Sequence, residues 1–159
     1  RSMTPAIEAF HKSVAIGCAA SRPDQWTECV LEFKNIERYS TAQMYFANPS
    51  GKPHYAEVEE SVLDAMDELR VAMAPLNGGQ AWYTAVFRMT PDGKYKFDFD
   101  YDHLPVFDFM PQADKWVDEF KRYPRPELQA QIQDWLDGPE TDEKSDELIQ
   151  RLKDLQRTV

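Results

Sequence analysis

Trp82-Tyr83-Thr84-Ala85-Val86-Phe87-Arg88-Met89, Thr90-Pro91-Asp92-Gly93, Lys94-Tyr95-Lys96-Phe97-Asp98-Phe99-Asp100-Tyr101-Asp102: the fold is decided in this stretch. Both outer runs alternate aromatic or aliphatic residues with polar ones, the period-two pattern of a strand. The middle four residues form a turn, because Pro91 fixes its own φ and Gly93 accepts a left-handed one. The stretch therefore predicts a β-hairpin with strands over about 81–89 and 94–101. In the second strand Tyr95, Phe97, Phe99 and Tyr101 share one face. Lys96, Asp98 and Asp100 share the other, and Asp102 continues that row. Trp82 and Tyr83 point to opposite faces, so at least one of them can stand outside the main core. Core packing is one reading of Trp82; a contact anchor is the other, since exposed tryptophans dominate many interfaces.

Working outward, the pattern predicts a helix over 4–20, with Thr4 as cap and Pro5 at its first position. Strands follow over 26–35, where Cys29, Leu31 and Phe33 turn inward, and over 40–47. Asn48-Pro49-Ser50-Gly51-Lys52-Pro53 reads as a plain loop. A helix over 56–73 carries Val58, Val62, Leu63, Met66, Leu69 and Met73 at helical spacing. Beyond the hairpin, helices are expected over 112–122, 126–138 and from 141 onward. Leu148, Leu152, Leu155 and Val159 make a seam for docking on the domain or on a partner helix. The expected order is α-β-β-α-β-β-α-α-α. Two hairpins around a helix imply an α+β fold with a largely antiparallel four-stranded sheet. Residues 4–159 are read as one domain, with 126–159 as a helical C-terminal extension.

The chain has 159 residues, of which 42% are hydrophobic, enough to build a core without staples. Arg1-Ser2-Met3 reads as a cloning remnant before the natural start. No signal peptide or membrane span is visible, so a cytoplasmic location is expected. Cys18 and Cys29 are expected to be reduced core thiols. The net charge of −10 disfavours direct binding to nucleic acid or anionic membranes and favours a basic partner. Eight acids and three bases between Pro91 and Glu119 supply half of that charge.

The acid row resembles the start of a calcium loop, but the sixth and twelfth positions from Asp98 hold His103 and Phe109. An EF-hand needs Gly and Glu there. A metal- or ligand-binding enzyme built on Asp98, Asp100 and His103 remains an alternative, as does a scaffold using the helical seam. His11, His54 and His103 lack zinc spacing, and no nucleophile elbow, P-loop or dinucleotide fingerprint occurs. No catalytic residue, cofactor or metal is therefore assigned. Fixed carboxylates on a strand can instead meet Lys or Arg on a partner.

The Trp82–Phe87 run and the Asp92–Asp102 run resemble the YezG-like immunity proteins of bacterial polymorphic toxin systems, where a "dGky...FdYd" strand follows a turn. The likeness in element order extends over Ile7 to Phe120; the helical segments beyond are longer than the family pattern. The resemblance implies an antitoxin that binds a cognate toxin domain in the cytoplasm and occludes its active site. The toxin would be a nuclease or another nucleotide- or NAD-targeting domain with a basic cleft. Asp98, Asp100, Asp102, His103, Asp108 and Trp82 are the candidate toxin-binding residues.

Overall fold

The computed structural model describes residues 3–157. Its elements are α1 (Pro5–Ala19), β1 (Glu28–Ile36), β2 (Tyr39–Ala47), β3 (His54–Ala56), α2 (Glu60–Met73), a 3-10 turn (Ala74–Asn77), β4 (Thr84–Met89), β5 (Tyr95–Asp100), α3 (Ala113–Arg122), α4 (Pro126–Gln129), α5 (Gln133–Asp137) and α6 (Asp142–Arg157). The α+β class stands, but the sheet has five antiparallel strands in the order β3-β2-β1-β4-β5. The added strand, β3, lies between the expected loop and the expected helix and takes Ala56 from the start of that helix. Val58 has helical spacing to Val62, yet α2 starts only at Glu60. Pairing of Met44 with Ala56 holds the segment before it extended.

Thr4 caps α1 as the sequence suggested, its Oγ1 accepting from the Ile7 amide at 3.1 Å. Gly17 is needed where α1 crosses α2. A Cβ there would lie 2.3 Å from Cγ2 of Val62, a stiff and buried side chain. At the hairpin tip Gly93 has φ 86°, and its amide donates to the Thr90 carbonyl at 2.9 Å.

Two apolar layers result. The helices α1 and α2 cover one sheet face through Cys29, Leu31, Phe33, Phe46 and Phe87. The second layer sits on the opposite face, at the end marked by Ile36 and Tyr83, with Phe107, Trp116, Trp135 and Leu148. Trp82 and Tyr83 do point to opposite faces, but both are wholly buried because both faces are covered there. Trp82 as a surface anchor is thus corrected. The expected helix over 126–138 divides into α4 and α5. The C-terminal seam docks internally: Leu148 and Leu152 are buried in the second layer and Leu155 packs against it. Val159 lies outside the described residues.

Between the layers lies a buried ion pair. The Arg70 guanidinium on α2 donates to Glu119 on α3 at 3.0 and 2.8 Å, and its Nε donates to the Trp82 carbonyl at 2.5 Å. Both side chains are almost wholly buried, and Tyr83 and Tyr123 flank the guanidinium. Removing one member strands the other charge away from water, which costs about 3–5 kcal/mol. Arg70→Met and Glu119→Leu should each destabilise by about that amount in chemical denaturation, and the double variant by clearly less than their sum.

Candidate functional site

The acid row begins on β5, one of the two edge strands of the sheet. Asp98 and Asp100 share the face opposite the aromatics, about 7 Å apart by strand geometry. The row does not act as one unit. Asp98 is exposed and lies 3.6 Å from Lys96. Asp100 instead shapes the turn that leaves the sheet. Its Oδ1 accepts from the amides of Asp102 and His103 at 2.9 and 3.1 Å, and its Oδ2 lies 3.0 Å from His103 Nδ1. Asp102 is exposed but touches Arg125 at 3.3 Å.

Arg125 is a residue that sequence reasoning missed. It is buried, donates to the Tyr101 carbonyl at 2.6 Å and also holds Glu127 at 2.7 Å. It thereby clamps the end of β5 to the second layer. Asp108 is exposed, and the neighbouring Phe109 is 81% exposed, the most exposed large apolar residue among those described. Among the candidates, then, Asp98, Asp102 and Asp108 present carboxylates outward. Asp100 and His103 bond to each other, and Trp82 lies in the core. Cations also line the open sheet face: Arg88 pairs with Glu28 at 3.4 Å and Lys34 with Glu32 at 3.7 Å. On that face the carboxylates of Glu28 and Glu32 are thus neutralised.

The aromatic face of β5 borders a groove of about 320 Å³. Met3, Ile7 and His11 form one wall, Met73 and Leu76 another, and Phe97, Phe99 and Tyr101 the floor, with Asp98 at the rim. His11 packs on Phe97 with ring centres 4.4 Å apart. Burial pushes its pKa below the usual histidine range, with Glu8 opposing. Its Nδ1 has no hydrogen-bond partner among the described residues.

A polar cleft of about 430 Å³ lies over the buried ion pair, lined by Asn35, Arg38, Asp67, Arg122 and Tyr123. Its cations are engaged: Arg38 with Asp118, and Arg122 with Glu37 at 3.0 Å. Burial holds the Asp67 carboxyl above the usual carboxylate range, although Asn35 donates to it. Among the described residues no three His, Cys, Asp or Glu side chains gather to hold a metal ion. Asp98, Asp100 and His103 thus do not converge as the alternative reading required. No described helix is long and apolar enough to cross a membrane.

A scan against protein-family models finds no match, and a search of curated proteins finds none either. The functional reading accordingly rests on side chains.

The two kinds of aspartate separate experimentally. Asp100→Ala should cost about 1–2 kcal/mol, as loss of a capping carboxylate does, whereas Asp98→Ala should stay within about 0.5 kcal/mol. Thermal unfolding of the two variants checks this. The buried His11 gives a pH signature. An unfolded histidine gains a proton as pH falls through about 6.5, but the buried ring resists it, so stability falls with pH below that point. The advantage in Tm of His11→Phe over the unaltered protein should therefore widen from about pH 7.5 to about pH 5.5.

Proposed function

We propose that this protein is an immunity-type inhibitor: it binds a basic toxin domain in the cytoplasm and blocks its active site without catalysing a reaction. One observation carries the reading. The edge strand presents Asp98 and, on a turn fixed by Asp100 and Arg125, Asp102 outward, and the loop after it presents Asp108. Carboxylates held this way can replace the phosphates that a nuclease or a nucleotide-targeting toxin binds, at little further ordering cost. The net charge of −10 adds long-range attraction to a basic cleft, so association is fast and salt-sensitive. Phe109 supplies an apolar contact within the same loop. The resemblance of the Asp92–Asp102 strand to the YezG-like immunity proteins supports the same class.

The direct test is co-expression with the product of the neighbouring open reading frame. The expected result is a complex that co-purifies and a host rescued from that product's toxicity; absence of both rejects the reading. Within a complex, Asp98→Lys and Asp108→Lys together should slow association at least about tenfold and flatten its salt dependence. Unchanged kinetics would move the interface elsewhere. Asp100 is left intact because its loss damages the turn.

A further inference from the structure

We propose that β5 receives its partner by strand addition: an extended segment, alternating apolar with Lys or Arg residues, pairs along the open edge. The proposal rests on the partner-binding reading above and specifies how that surface is used.

The hydrogen-bond register sets the geometry. The Thr90 amide donates to the Lys94 carbonyl at 3.0 Å, and the Tyr83 amide to the Asp100 carbonyl at 2.8 Å. Pairs of β4 and β5 run from Met89–Tyr95 to Thr84–Asp100. Backbone direction alternates in an antiparallel pair, so Lys96, Asp98 and Asp100 turn their amides and carbonyls toward β4. Those of Tyr95, Phe97 and Phe99 point away from the sheet, and among the described residues β5 has no strand on that side.

An added strand would place its side chains alternately on two faces. Residues opposite Phe97 and Phe99 fall on the aromatic side, where the groove between Met3, Ile7, Met73 and Leu76 lies open. Met3 and Leu76 are 53% and 45% exposed, apolar surface that an occupant would cover. His11 marks the same place: it is 7% exposed, lines the groove and has no partner for Nδ1 among the described residues. Residues between these fall beside Asp98, on the charged side where Lys96 lies 3.6 Å from that carboxylate. The occupant is thus apolar toward the groove and cationic toward Asp98. A second copy is the competing occupant, because pairing of Phe97 with Phe97 of another molecule sets Lys96 against Asp98. A charge of −10 on each copy opposes it.

The test is amide hydrogen exchange on the full chain, alone and with a short capped peptide alternating valine with lysine. A second peptide carries glutamate in place of lysine. Alone, the Phe97 and Phe99 amides should exchange fast and that of Asp98 slowly. The lysine peptide should protect Phe97 and Phe99, the glutamate peptide should not, and Leu76→Lys should weaken binding at least about tenfold. Failure of the lysine peptide to protect these two amides overturns strand addition. So does their protection in the free protein together with concentration-dependent dimerisation, which would assign the edge to a second copy. A complex with the neighbouring gene product that leaves both amides exposed also rejects the mode, while the inhibitor reading stands.

Discussion

The placement of the second layer depends on the pairing of Arg70 with Glu119. A guanidinium and a carboxylate withdrawn from water face a large desolvation penalty, tolerable only when geometry and further hydrogen bonds compensate. Here the fork is bidentate, and the Nε proton goes to the Trp82 carbonyl. Three separate parts of the chain therefore meet at one point: α2, the approach to β4, and α3. The backbone at that point sends Trp82 into one layer and Tyr83 into the other. Burial raises the Tyr83 hydroxyl pKa, with Glu119 adding to the rise, so this node is uncharged apart from the pair itself.

The same division explains why net charge overstates the interface. Glu119 holds Arg70, Asp100 shapes a turn, Asp102 touches a buried arginine and Glu37 binds Arg122. These acids position the fold. What remains for a partner is a smaller set, of which Asp98 and Asp108 are the cleanest members. An alternating acid row in a sequence thus mixes two functions that only the register and the following turn can separate.

Legibility follows the range of the interaction. The hairpin, its Gly93 turn, the Thr4 cap and the inward Cys29, Leu31 and Phe33 were readable because each depends on neighbours in sequence. β3 was not: three residues carry too little periodicity, and Val58 continues the helical spacing of α2 backwards. Arg125 reaches Asp102 and Tyr101 across a loop and a helix, and no spacing rule encodes such a contact. Core packing of Trp82 was one of two readings open in the sequence, and the burial of its neighbour Tyr83 on the opposite face was the part that could not be read. A sheet residue is enclosed on both faces only if a second layer exists, and that layer is assembled from segments far along the chain.

The two sheet edges are treated differently, and that difference bears on function. Unpaired edges invite unwanted pairing, and proteins commonly shorten or interrupt them. β3 follows this rule: it spans three residues and directly follows Pro53. β5 does not. It spans six residues, turns the backbone of two phenylalanines outward and borders an apolar groove lined by a histidine whose Nδ1 has no partner among the described residues. Lys96 and Asp98 supply charge along it without closing it. Core packing needs the aromatic side of β5, but it needs neither the open groove nor His11 beneath it. A longer side chain than Leu76, or an apolar residue at position 11, would seal that edge better. The features that stability leaves unexplained are those an incoming strand would use.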